Sequence, residues 1–354
     1  MDEPSALLAA IPALLGFYPT RSLVIVLLTR PLIGSTIRGV ESIHAVVRFD
    51  LDTHTDPATY ARDITDMVES MCLRENTTST MAVVVDDRPT ADETAAHLVG
   101  VLRASAIRLT NAWHLDTVVA HTRYHDLLTP GRGGFIEDPA ASMVTFAHVM
   151  GGHQIRSSRH ELVDLFTPDP GLTTLVSAQI KPALTRFHHQ ARALPGEEGA
   201  HVHRGATASW MLAQVRAIDN AVPDSGDLAT MVVALRDPLI RDSLFCLAAT
   251  EHRDRASSLW RHLTRATTGT DRARAATLYA YNAYYSGDTV VAAIALNIAR
   301  NADPDHVMSA LLEVALQHGV RPDFLAGILH SAGAIAADLG IDLTSTDTTN
   351  RSTN

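Results

Sequence analysis

The side chains best suited to chemistry fall into three short clusters. Asp50, Asp52, His54 and Asp56 follow one apolar run, Asp86, Asp87 and Arg88 a second, and His121, Arg123, Tyr124, His125 and Asp126 a third. Carboxylates and imidazoles brought together supply oxygen and nitrogen donors for a divalent ion, and His titrates near neutrality, so the same groups can serve as acid and base. Asp50, Asp86, Asp87, His121 and His125 are therefore the candidate ligands or acid/base groups, and Arg88 and Arg123 the candidates for engaging an anion. None of these residues has the spacing of a dedicated metal motif, so no metal ligand and no cofactor is assigned. Asp after a strand also commonly caps the next helix, and Asp56, directly before Pro57, is placed to do so.

The remaining polar sets have simpler explanations. His160-Glu161 with Asp164 is similar to a zinc-protease helix, but Asp stands where the second His is required, and Ser158-Arg-His-Glu161 reads as a capping box. His188 and His189 diverge on adjacent helical positions, and His201 and His203 lie in a polar stretch. Gly131-Arg-Gly-Gly134 does not directly join a buried strand to a helix, as a dinucleotide fingerprint demands, so it reads as a turn. Lys181 is the only lysine beside 28 arginines and no GxxxxGK precedes it, which argues against P-loop phosphate binding and Schiff-base catalysis. Cys72 and Cys246 are far apart with no ligand spacing, so both read as buried thiols rather than a disulfide or zinc knuckle.

These residues need elements to position them. Pro4 to Leu15 has helical spacing, bent or shortened at Pro12, with Gly16 suited to the left-handed residue that ends a helix. Ser22 to Thr29 is a continuous apolar run that predicts a central strand buried on both faces. Ile43 to Leu51 alternates with period two and predicts a second strand, joined to the first as a hairpin through the Gly34 and Gly39 loop. A helix over Pro57 to Leu73, a strand over Met81 to Val85, a helix from about Ala91 to Leu109 and a strand over Leu115 to His121 follow. Strands alternating with helices of this length predict a mostly parallel sheet of about four strands flanked by helices. In such a sheet, ligands bind beyond the carboxyl ends of the strands, where the three polar clusters fall.

Beyond Gly134 the periodicity is helical. Residues 1–135 read as an α/β domain, 136–205 as a helical bridge and linker, 206–343 as an all-helical domain and 344–354 as a disordered tail. The linker proper is Pro195 to Gly205, polar and bearing glycine. Within the helical lobe, Ala276 to Pro304 resembles the second half of a tetratricopeptide repeat through Gly287, Ala292, Leu296, Ala299 and Pro304. Ala280 stands where that repeat carries glycine, and no second copy follows.

Composition bounds the rest. The 354 residues carry 29 basic against 39 acidic side chains, a net charge of −10, with 46% hydrophobic residues. That is enough apolar material for one or two cores in a chain of this length. Net acidity disfavours extended nucleic-acid binding. The longest apolar runs fall far short of the ~20 residues of a membrane span, and Met1-Asp2-Glu3 is no basic signal-peptide head, so a cytoplasmic location is expected. The arginine bias is that of a high-GC genome.

Pro12-Ala-Leu-Leu-Gly-Phe-Tyr-Pro19 followed by Ser22-Leu-Val-Ile-Val resembles the opening of an actinobacterial family, domain of unknown function 4192. Asp50-Leu51, Gly151 with Ser158-Arg159-His-Glu-Leu162, Arg241-Asp242, Gly287-Asp288 to Ala299, and Asp303-Pro304 agree with its later motifs in order. The likeness runs from about Pro4 to Pro322. Members of the family tend to carry aromatic and cysteine-rich residues before the segment that corresponds to Thr129 to Asp138, and this chain lacks those cysteines. The resemblance implies an actinobacterial, cytoplasmic setting and brings no activity with it.

Without a catalytic motif, the sequence favours a non-catalytic interaction or regulatory protein that holds another protein on its helical lobe. The alternative is a small-molecule (phosphate-containing) binding protein or metal-assisted hydrolase with its site at the strand ends. Oligomeric state is left open.

Overall fold

The computed structural model describes residues 4–29, 41–52, 57–74, 77–151, 154–194, 196–219, 222–317 and 322–341. Two compact units divide it, Met1–Glu161 and Leu162–Asn354. The loop with Gly34 and Gly39, His54, Asp56 and the tail at 344–354 lie outside the described residues.

In the first unit, α1 (Pro4–Leu15) is buried along almost its whole length despite Pro12. Gly16 leaves it with φ +74°. The strands β1 (Ser22–Thr29), β2 (Ser42–Asp50), β3 (Ser79–Val85), β4 (Leu109–Leu115), β5 (Arg123–Asp126) and β6 (Gly133–Phe135) form one sheet in the order β2-β1-β3-β4-β5-β6. Helix α2 (Pro57–Arg74) links β2 to β3, and α3 (Ala91–Ala104) links β3 to β4. As its unbroken apolar run requires, β1 is interior and buried on both faces.

The expectation of a mostly parallel sheet is corrected: among the described strands only β3 and β4 pair in parallel. The crossover rule was sound for direction, because β2, β3 and β4 do run the same way. What it missed is that β1 lies antiparallel between β2 and β3. The chain then folds back twice through β5 and β6, which pair antiparallel to their neighbours. Those strands have four and three residues and mostly polar side chains, so neither gives a hydrophobic pattern. The fourth strand also starts earlier than expected, at Leu109 and not Leu115, because α3 ends at Ala104. Leu23, Ile25 and Leu27 of β1, Ala82 and Val84 of β3 and Ala112 of β4 share one core with Ile64, Val68, Ala95, Leu98 and Val99 of α2 and α3.

After the short 3-10 turn Pro139–Ala141, α4 (Met143–Met150) and α5 (Arg159–Asp164) follow. The second unit is helical throughout its described residues: α6 (Pro170–Ala193), α7 (Gly196–Ala217), α8 (Ser225–Ala234), α9 (Pro238–Ser243), α10 (Arg253–Ala266), α11 (Gly269–Tyr285), α12 (Thr289–Ala302), α13 (Val307–Gln317) and α14 (Pro322–Asp338), with a 3-10 segment at Leu244–Ala249. Of the expected linker Pro195 to Gly205, the residues from Gly196 on are instead the first part of α7. Glu197 and Glu198 in its first turn suit the positive end of the helix dipole. Gly205 marks close packing and not freedom, for a Cβ there would lie 2.5 Å from the Leu339 carbonyl oxygen. Gly287, with φ +86°, turns α11 into α12, which is capped by the Asp288 carboxylate.

Candidate functional site

Because β1 is antiparallel to both neighbours, its start meets the ends of β2 and β3. Ser22 lies opposite Asp50 on one side and Val85 on the other. This brings Asp50, Asp52, Asp86, Asp87 and Arg88 to one end of the sheet, as the sequence suggested. It also brings arginines that the sequence reading did not choose. Arg48 binds Asp50 at 2.9 Å and donates to Ser22 Oγ at 2.7 Å. Arg21, one of two non-glycine residues with positive φ among the described residues, reaches Asp52 and Asp87, both at 3.4 Å.

Asp86 is fully buried, and Arg88 holds its carboxylate through Nε at 2.9 and 3.1 Å and Nη2 at 2.6 Å. Burial alone would raise the carboxyl pKa, but these bonds and the Arg88 charge hold it below the ordinary range. The four acids are thus matched by arginines, so they form an ion-pair frame and not a vacant metal cage. An open groove of about 290 Å³ beside Arg88 is lined by Leu51, Tyr60, Glu93, Thr94 and His97.

A second cluster adjoins this frame. His125 of β5 stands opposite His114 of β4 in the antiparallel register, and Asp92 comes from the first turn of α3. Asp92 Oδ1 is 3.0 Å from His114 Nδ1 and 3.1 Å from His125 Nε2, and the two nitrogens are 3.3 Å apart. Among the described residues these are the three whose donor atoms converge as metal ligands would. Two donors held ~2.1 Å from one ion would be roughly 3.0 Å apart at a right angle and roughly 3.4 Å apart at the tetrahedral angle, which brackets all three separations. The His114 side chain is 3% exposed, His125 43% and Asp92 78%, so the cluster is anchored on one side and open to solvent on the other.

Of the sequence candidates, His125 therefore reaches this cluster by strand pairing, not by lying in a loop beyond a strand. Its neighbour Arg123 is on the same face. His121 sits in the turn before β5 with φ +64°, where its N–H donates to the Ile136 carbonyl, and no described contact joins it to either cluster. Asp92 and His114 are absent from the sequence candidates. Asp92 looks like an ordinary acidic residue of a helix first turn, and His114 falls where the sequence suggested the end of a loop. Only the register Val84 to His114 to His125 makes them neighbours.

The distinctive Leu15-Gly16-Phe17 block has a structural role. Phe17 is buried and forms a parallel bridge with Arg156, in which Arg156 N donates to the Gly16 carbonyl at 2.8 Å and Tyr18 N to the Arg156 carbonyl at 3.0 Å. Glu161 accepts from Ser157 N and Oγ and from Arg156, and Ser158 Oγ accepts from Glu161 N, so the HExxD likeness is a helix cap. Two sequence blocks that carry the family resemblance, one opening the chain and one around residue 158, therefore meet in space.

The model of the family described as Domain of unknown function (DUF4192) matches residues 4–323. The chain belongs to this family. No curated protein and no solved structure matches it. No helix among the described residues is long and apolar enough to cross a membrane.

Proposed function

We propose that the N-terminal unit is a divalent-metal-dependent protein that binds, and hydrolyses, a small phosphate-containing molecule at the end of its sheet. The convergence of Asp92, His114 and His125 carries this reading. Two imidazoles and one carboxylate, with solvent on the far side, suit Zn²⁺, Mn²⁺ or Fe²⁺ with open positions, and not Ca²⁺, which prefers an all-oxygen shell. Such an ion polarises a phosphoryl oxygen and lowers the pKa of bound water. In the reaction the water oxygen bonds to phosphorus, the ester P–O bond breaks and the leaving alcohol takes the proton. The frame of Asp86 and Arg88 holds His114 in place.

Titration calorimetry with Zn²⁺ and Mn²⁺ tests this reading. Wild type should bind one ion per chain, and Asp92→Asn, an exposed change that spares the fold, should weaken it at least tenfold. Binding that Asp92→Asn leaves unchanged would sink the metal centre.

A second reading concerns the helical unit, and rests on an apolar stripe. Val307, Leu311 and Val314 of α13 are 70%, 59% and 51% exposed at helical spacing beside the α11–α12 hairpin. This supports a protein-binding role for the tetratricopeptide-like hairpin and its neighbour. Crosslinking in which Leu311→Glu removes a partner band would support it, and an unchanged pattern would count against it.

A further inference from the structure

Resting on the metal reading above, we infer that the same face selects a phosphate attached to a planar ring, through Arg123 and Phe135. Along β5, Arg123 lies two residues before His125, so both side chains leave the same face of the sheet roughly 7 Å apart. Arg123 is exposed and forms no ion pair among the described residues, unlike Arg21, Arg48 and Arg88, which are all engaged with carboxylates. A guanidinium in that position can hold two oxygens of a phosphate whose third oxygen faces the ion held by His125.

The next strand completes the surface. In the β5–β6 pairing His125 faces Gly133 and Arg123 faces Phe135. No side chain therefore stands beside His125 on the outer strand, and none fits readily, because a Cβ on Gly133 would come within 2.4 Å of the Tyr124 carbonyl oxygen. The sheet is bare there. Phe135, 65% exposed, borders the bare patch as the cross-strand partner of Arg123. Cross-strand partners have Cβ atoms roughly 5 Å apart, so a ligand spanning cation and aromatic face need be no larger than a nucleotide. An exposed phenyl ring is otherwise poorly placed on an edge strand, and stacking a planar heterocycle removes both apolar faces from water.

Binding of AMP, ribose 5-phosphate and inorganic phosphate to the zinc-loaded full chain tests the assignment. AMP should bind roughly 5- to 150-fold more tightly than ribose 5-phosphate, the range that stacking one base supplies. Phe135→Ala should erase that difference while leaving inorganic phosphate unaffected, and Phe135→Trp should preserve it. Arg123→Gln should weaken all three by about tenfold or more. Equal affinity of wild type for AMP and ribose 5-phosphate, or a preference that survives Phe135→Ala, would overturn the ring site while leaving the metal centre standing. A chain that takes up no zinc would overturn both.

Discussion

The Nε2 atom of His114 lies 3.1 Å from the backbone oxygen of Asp86. A carbonyl only accepts, so Nε2 donates this bond, and Nδ1 is the ring nitrogen that faces Asp92 and His125. Metal-bound histidines are commonly held by such a bond from the other ring nitrogen. The strand end thus fixes the ring's orientation as well as its position. His114→Gln should therefore cost more than the roughly 10- to 100-fold in metal affinity typical of losing an outer partner, because it removes a ligand. Competition against a chelating dye measures this, and a loss below tenfold would place His114 outside the centre.

The Arg88–Asp86 pair should matter to stability. Asp86 is fully buried and Arg88 half-buried, so Arg88→Met would strand a carboxylate without its partner. Breaking such a pair costs about 3–5 kcal/mol when both members are buried, and about 2–4 kcal/mol is expected here because Arg88 keeps some contact with water. The Asp86→Asn, Arg88→Met double variant should recover part of it. Because the folded pKa of Asp86 is depressed, its contribution is present above its unfolded value, about 3.9, and is lost as pH falls through the lower folded value. Urea denaturation at pH 7 and pH 3 should show the gap between wild type and Arg88→Met closing in acid.

Local chemistry was legible where a segment states its own environment. Pro4–Leu15, Gly16 and Ser22–Thr29 have the boundaries their apolar pattern dictates, and the Asp50, Asp86 and Arg88 gathering follows from strand ends alone. Sheet order was not legible, because nothing in β1 says that it will pair with β3 as well as β2. His114 and Asp92 escaped for the same reason: they are twenty-two residues apart and joined only by the parallel register of β3 with β4 and the fold-back of β5. Gly205 misled because glycine in a polar stretch signals flexibility by composition and close packing by contact.

Acid should loosen the helical unit near neutrality, well above the range in which Asp86 titrates. His203 and His252 are buried there, and burial lowers both pKa values. Arg216 Nε donates to His252 Nε2 at 3.3 Å, a bond only the neutral ring can accept. Between the unfolded value near 6.5 and the lower folded value the unfolded chain binds more protons, so stability is full above about 6.5 and falls as pH drops through the folded value. Melting temperature should decline from pH 7.5 to 5.5. His252→Gln keeps an acceptor for Arg216 without titrating, and should flatten the decline; an unchanged slope would assign it to other groups.

Two glycines separate strain from contact. Gly16 has φ +74° and open space where a Cβ would stand, so Gly16→Ala costs only the left-handed backbone, roughly 1–2 kcal/mol. Gly205 lies within α7 at an ordinary φ, where alanine would be favoured by about 1 kcal/mol if the site were free. It is not free, since the new methyl would meet the Leu339 carbonyl at 2.5 Å and the end of α14 would have to move. Overpacking of that kind costs about 1–3 kcal/mol, which outweighs the gain in helix propensity. Gly205→Ala should therefore destabilise the helical unit in denaturant melts, and Gly205→Ser no less. A stabilised Gly205→Ala variant would show that the contact between α7 and the residues after α14 yields without cost, and that the segment is looser than its packing indicates.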